Sequence, residues 1–177
     1  DAFWPDMKDT IKMARQLQPD CLFRNRGIGA YGDYHTPENW VPTSSKSRES
    51  ELPWQVIHTL GRNWSYDPDP KAYKSGEWIV SNLVDITAKG GLFMVGIGPD
   101  ADGKFHPKAI EALEYTGDWL KVNGEGIYGT RPWTQWNEGK DIRFTRSKDG
   151  KAVYAIALHW PGKTFALDSI LPRKGLA

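Results

Sequence analysis

Apolar residues recur along the chain first at helical spacing, then in short strand-like runs, and the alternation outlines the fold. Met7, Ile11, Ala14 and Leu17/Gln18 fall on one stripe, opened by Pro5 and stopped before Pro19, which predicts a helix over 5–17. Asp20 turns the chain into Cys21-Leu22-Phe23, a run that predicts a short buried strand over 21–25 with Cys21 as a small hydrophobe. From 27 to 52 neither period survives. Gly27, Gly29, Gly32, Pro37 and Pro42 punctuate the stretch, and a polar run extends from Thr43 to Glu51. A loop of that length in a folded domain is functional or disordered, and its first half reads as functional.

A second strand is predicted over 54–60, ending at Gly61 and followed by the loop 62–67. Over 71–88, Ile79, Leu83 and Ile86 share a helical face with Val80, Val84 and Thr87 alongside, and Lys89-Gly90-Gly91 supplies the stop. Residues 92–97 form a third apolar run. The acidic stretch Gly98–Gly103 after it lacks the alternating ligands of a calcium loop and reads as a turn. Pro107 opens a last helix with Ile110, Leu113, Gly117 and Leu120 on one stripe, ended by Asn123-Gly124; Gly117 is expected to admit a neighbouring strand.

Strand, loop and helix thus alternate, as in parallel βα units. Three strands cannot close a barrel that takes eight and about 250 residues, so they predict a half-barrel or an open sheet. Its uncovered edges invite self-association or completion by a missing N-terminal half. Beyond Arg131-Pro132-Trp133 the runs 141–146, 153–159 and 164–167 are short and strand-like, with Asp149-Gly150 as a hairpin signal. The expected fold class is therefore α/β over 1–130, the C-terminal portion of a (β/α) barrel, followed over 131–177 by the first strands of an antiparallel β-sandwich.

Composition narrows the chemistry. A balance of 23 basic and 22 acidic residues carries no nucleic-acid footprint. A single cysteine excludes an internal disulfide, and no apolar run approaches the roughly 18 residues of a membrane span. The four histidines show no metal-ligand spacing, so no metal is expected. Nine tryptophans is an unusual number; core packing is expected to take at least half of them, but indole faces also stack on the C–H patches of sugars, a weak pointer to carbohydrate. Asn63-Trp64-Ser65 matches a glycosylation acceptor, a triplet that chance often supplies. The densest polar chemistry lies from Arg24 to Glu38, where arginines at a strand end meet a glycine-rich loop with acids, tyrosines and a histidine.

Two longer motifs carry a family resemblance. Val84–Pro99 resembles the last βα unit of the α-L-fucosidases of glycoside hydrolase family 29, and Gly117–Trp133 resembles the family's junction between its final barrel helix and its C-terminal sandwich. Asn25-Arg26 and Thr36-Pro37-Glu38 match further family signatures in the same order. The resemblance implies a retaining hydrolase that cleaves terminal α-L-fucose from a fucosylated glycan. That chemistry uses two carboxylates about 5–5.5 Å apart and no cofactor.

By this resemblance Glu38 is the acid/base, Arg26 hydrogen-bonds the fucose, and Trp64 packs on its C5 methyl region; Trp54 and Tyr31 are further sugar-binding candidates. An acid at position 38 would need its proton affinity raised by burial against Trp40 or by the nucleophile's charge. The alternatives are a surface glutamate at 38, an Arg26–Asp33 structural ion pair, and core packing for Trp64. The nucleophile is either Asp1 or, the favoured reading, an aspartate upstream of this chain, which would leave the chain inactive alone. A non-catalytic fucose- or carbohydrate-binding remnant is the competing function. A secreted or periplasmic setting is suggested by the resemblance only.

Overall fold

Strand periodicity organises the parallel part of the structure. The computed structural model describes residues 5–42, 52–164 and 166–170. Strand β1 (Gln55–Thr59) pairs in parallel with β2 (Leu92–Gly96), from Gln55↔Leu92 to Thr59↔Gly96. Side chains alternate across the pleat. Trp54, Val56 and Leu60 therefore share one side and are buried. On that side lie α2 (Gly76–Ala88) and α3 (Pro107–Asn123), contributing Ile79, Ile86, Ala109 and Ala112 to the core. Phe93 on β2 packs against both halves of this core. Each fully buried Val, Leu or Ile contributes about 1.5–3 kcal/mol, so this side of the sheet anchors the unit. The opposite side is open: Leu92 and Met94 of β2 are 66% and 44% exposed.

Helix α1 (Pro5–Leu17) spans the predicted 5–17. Helix α2 starts later than the pattern suggests. Residues Pro70–Ala72 form a 3-10 turn, and the Ser75 side chain accepts from the Trp78 N–H to cap α2. In α3 the buried residues are Ala109, Ala112 and Thr116, while Ile110 and Leu113 are 42% and 39% exposed. The predicted stripe is thus displaced by one position, because the helices approach closely enough to select small residues over bulky ones. The expected role of Gly117 is also corrected, since a Cβ there meets nothing within 4 Å. The close approach is at Gly76, where a Cβ would lie 2.4 Å from the Tyr115 ring.

The predicted strand over 21–25 does not form as an element. It makes one bridge, Arg24↔Tyr34, and Cys21 and Leu22 are exposed. Three apolar residues fill too little of a pleat, and the Asp33 carboxylate takes the Phe23 N–H. The stretch read as loop, by contrast, contains a paired extended segment. His35 N–H donates to Pro53 O at 2.8 Å, Gln55 N–H to His35 O at 2.8 Å, Ile57 N–H to Pro37 O at 3.0 Å and Asn39 N–H to Ile57 O at 2.9 Å. Residues 34–39 therefore run parallel beside β1. Pro37 can sit there because its carbonyl, not its absent N–H, is used. The remainder of that loop, residues 43–51, lies outside the described residues.

A separate antiparallel sheet follows in the order β3 (Thr130–Glu138), β4 (Ile142–Ser147), β5 (Val153–Ala157). Strand β3 was not expected, since Pro132 and an irregularity between Pro132 and Asn137 hide its alternation. The β4–β5 hairpin does turn at Asp149-Gly150, with Gly150 at φ 73°. Described residues in 164–167 form no strand. No described helix is long and apolar enough to cross a membrane.

The two sheets are bolted together through α2. Asp85 receives Arg143 of β4 at 2.5 Å on one carboxylate oxygen and Lys89 at 2.6 Å on the other. Both cations also lie over the Trp136 ring, at 4.7 Å for Lys89 and 5.2 Å for Arg143. The side chains are 9–18% exposed, so neither cation has water as an easy substitute partner.

Two outcomes follow for chemical denaturation. Asp85→Ala leaves two sheltered cations without their anion and should cost about 3 kcal/mol, whereas Lys108→Ala, which breaks an exposed pair, should change stability by under about 0.5 kcal/mol. Gly76→Ala should destabilise by about 1–3 kcal/mol through overpacking, and Gly117→Ala should stabilise by up to about 1 kcal/mol. Urea unfolding midpoints of the four variants check both contrasts.

Candidate functional site

The parallel register that buries alternate residues against the helices turns the others to the open side. There Arg24 and Arg26, Tyr34, Thr36 and Glu38, Gln55 and Ile57, and Met94 line a cleft of about 350 Å³, joined by Trp64 from the loop after β1. The lining residues of each segment are two apart, as a common side of a pleated sheet requires. Glu38 bridges to Ile57 across the ladder, which fixes how far along the sheet its carboxylate stands.

Arg26 and Glu38 meet directly, Nη1 to Oε2 at 2.5 Å. The same guanidinium donates from Nε to Thr36 Oγ1 at 2.8 Å and from Nη2 to Thr36 O at 2.9 Å. Its planar fork is thereby fixed along the segment that carries the glutamate. Arg26 and Glu38 are 39% and 36% exposed at their side chains, so a molecule in the cleft can reach both. Arg24, the second guanidinium in the lining, makes no ion pair among the described residues.

Trp64 stands 43% exposed with its ring over the end of β2. Gly96 permits this, since a Cβ there would lie 2.9 Å from the indole. Gly98 does the same for the backbone of the loop, where a Cβ would fall 2.3 Å from the Ser65 carbonyl carbon. The cleft therefore has a charged wall from the first two segments and an apolar wall of Trp64, Met94 and Ile57.

The other expected residues lie elsewhere. Trp54 points to the helix side, 5% exposed, its ring filling the space over Gly91. Tyr31 belongs to the 3-10 turn Gly29–Tyr31, with the Lys8 ammonium 5.9 Å from its ring, and is not among the cleft residues. Trp40 is 47% exposed and is not among the residues lining the cleft. The Asp33 carboxylate pairs with Arg15 at 2.9 Å and not with Arg26. The Phe23 N–H, followed by Arg15, holds that carboxyl below its ordinary value. Asp1 lies outside the described residues. Among the described residues no three His, Cys, Asp or Glu side chains converge as a metal site would need.

Sequence reasoning missed Tyr34, Thr36, Gln55, Ile57 and Met94. Counting back in twos from Glu38 finds the first two once 34–39 is known to be extended, but Pro37 conceals that. Asn39 was missed as well. It sits at φ 59°, and its Oδ1 accepts the Thr59 N–H at 3.1 Å.

Behind the cleft, on the helix side of β1, His58 is buried, with no hydrogen-bond partner for Nε2 among the described residues and its ring edge-on to Trp78 and Phe93. Burial, and secondarily the Lys74 ammonium, lower its pKa from 6.5. Burial lowers that of Lys74 too, whose ammonium donates to Thr59 O and to Gly61 O.

Relatives of known kind share this arrangement of sequence. A family model described as Alpha-L-fucosidase matches residues 2–125. Tissue alpha-L-fucosidase of Bos taurus is 36% identical over 158 residues, covering 88% of this chain and 31% of that protein. A solved alpha-L-fucosidase superposes with a TM-score of 0.76 at 28% identity, over 92% of this chain and 38% of that one. The Thermotoga maritima alpha-fucosidase, solved in complex with fucose, gives 0.66 at 27% identity over 83% of this chain and 35% of that one. The chain spans about a third of the length of the curated relatives it matches.

The His58 environment sets a pH dependence. Its folded-state pKa lies below the unfolded value, so as pH falls through 6.5 the unfolded chain takes up the proton first and the folded state loses stability. The urea midpoint should therefore drop more from about pH 7 to about pH 5 in the native protein than in His58→Gln. Equal drops would remove His58 as a source of acid sensitivity.

Proposed function

The chain belongs to the alpha-L-fucosidase family, and from that premise we propose that its parallel sheet is the C-terminal part of a (β/α) barrel over residues 1–130 which hydrolyses terminal α-L-fucosides with retention. The β3–β5 sheet is then the opening of a C-terminal sandwich. The single observation that carries the reading is the Arg26–Glu38 pair facing an open cleft with Trp64 on its far wall.

Each group has a task suited to its chemistry. In the free site Glu38 pairs with Arg26. Once that guanidinium turns to the sugar oxygens and the nucleophile's charge stands beside it, Glu38 carries the proton that it gives to the glycosidic oxygen as the bond breaks. It then takes one from the water that releases the sugar. Arg26 donates to sugar oxygens and holds the Glu38 side chain in place between turnovers. The Trp64 indole receives the C5 methyl and neighbouring C–H groups, which hydroxylated sugars lacking that methyl cannot fill as well. A fucosylated glycan is the substrate class that combines hydroxyls for the charged wall with a methyl for the apolar one.

A retaining reaction also needs a nucleophilic carboxylate about 5–5.5 Å from the acid. Glu38 is the one carboxylate among the cleft's lining residues. The nucleophile therefore comes from outside the described cleft, either from Asp1 or, in our reading, from an aspartate on an upstream strand that completes the barrel. The 177-residue chain alone is then a sugar-binding unit with no turnover.

Hydrolysis of aryl α-L-fucosides tests the reading. The chain alone should show no turnover, while the full-length protein containing it should turn over. In the latter, Glu38→Ala should slow a poor leaving group by about 10²–10⁴-fold and an activated one far less, because only the former needs the proton. Equal losses on both substrates would take the acid role away from Glu38. Fucose binding without turnover in the full-length protein would favour a non-catalytic carbohydrate-binding unit.

A further inference from the structure

The residue after the proposed acid is as constrained as the acid itself. Asn39 is the one non-glycine residue at positive φ among the described residues, at 59°. Left-handed backbone is uncommon outside glycine, and asparagine tolerates it better than most residues do. This conformation ends the extended segment directly after Glu38. It also makes Asn39 grip β1 twice: its N–H donates to Ile57 O at 2.9 Å, and its Oδ1 accepts the Thr59 N–H at 3.1 Å. Glu38 lies opposite Ile57 in the same register. Both bonds lie on the C-terminal side of the Glu38–Ile57 pair, and the Ile57 N–H to Pro37 O bond closes it on the other side.

The grip reaches further than the acid. The Thr59 carbonyl accepts the Lys74 ammonium, Leu60 N–H donates to Gly96 O, and the loop bearing Trp64 leaves β1 at this point. A parallel strand ending at Glu38 with no such cap would leave the Thr59 N–H, which sits on a buried residue, without an acceptor. Its end would be free to fray, and the carboxylate would fray with it.

We propose that Asn39 is a positioning residue for Glu38, its side-chain oxygen locking the end of the acid's segment to β1. The inference rests on the reading of Glu38 as acid/base. It adds a residue that touches no substrate yet sets the distance of the proton donor from the scissile oxygen. A displacement of about 1 Å at such a group costs on the order of 10²-fold in rate.

Three substitutions separate the parts of the device. Asn39→Gly keeps the left-handed backbone and removes the acceptor. Asn39→Asp keeps both. Glu38→Gln removes the acid itself. In the full-length protein, with aryl α-L-fucosides of good and poor leaving group, Asn39→Gly should lose about 10- to 100-fold in kcat on the poor leaving group and under about threefold on the good one. Its KM should stay near that of the native protein, and Asn39→Asp should restore most of the loss. In the 177-residue chain, amide exchange at Thr59 should accelerate at least about tenfold in Asn39→Gly and stay near native in Asn39→Asp.

Native rates on both substrates in Asn39→Gly would overturn the proposal, as would equal losses on both, which denote a general structural role. If instead Glu38→Gln itself fails to discriminate between leaving groups, the acid assignment falls and this proposal with it. That result is separable from the first two because it appears in the Glu38 variant.

Discussion

The cleft depends on a short parallel ladder between residues 34–39 and β1. Four backbone hydrogen bonds between 2.8 and 3.0 Å hold it, two donated by each strand. Because side chains alternate with a period of two, this register decides which residues face the helices and which face the cleft. A slip of one residue would carry Thr36 and Glu38 to the packed side and leave Arg26 without either partner. The charged wall is thus a consequence of backbone pairing more than of attraction between its charges. An ion pair as exposed as this one contributes little to stability by itself.

What holds the ladder in place is the opposite side of the same sheet. Trp54, Val56 and Leu60 alternate with the cleft residues of β1 and are buried against α2 and α3. Their burial makes the register costly to change, since a slip would expose all of them. The helices can press this closely because α2 opens on Gly76 and α3 turns alanines inward. The Asp85 cluster then fixes the second sheet to the back of α2. Rigid packing on one side and chemistry on the other is the division expected of a scaffold that carries a site on strand ends.

The elements that sequence made legible were those whose period was long and uninterrupted. Helix 5–17 and strands β1, β2, β4 and β5 declared themselves within a residue or two. Failures came where a special residue broke the period while the backbone continued. Pro37 and Pro132 each removed a donor from a stretch that stayed extended, so both segments read as loop. The stripe of α3 was misplaced for a different reason. Leucine and isoleucine there outscore alanine in hydrophobicity, but the space between the helices admits only small side chains. At the cleft, Glu38, Arg26 and Trp64 were singled out by their resemblance to a family motif and do line it, while Asn39 and Thr36 needed the pairing to be known. Trp54 and Tyr31 show the converse: an aromatic near a site in sequence can fall on the other side of the pleat or in a different turn.

The identity of the cation matters to how the charged wall works. Arg26 satisfies three acceptors at once, two on Thr36 and one on Glu38, from three different nitrogens in one plane. A lysine ammonium could approach Glu38 but could not span the Thr36 carbonyl and hydroxyl in the same pose, because its donors radiate from a single atom. Threonine at 36 and glutamate at 38 are two apart on the cleft side, a spacing that the fork bridges along the strand. The sheet therefore presents the Glu38 carboxylate to the cleft with its neighbouring donor already oriented, and little side-chain entropy is left to lose when a ligand arrives.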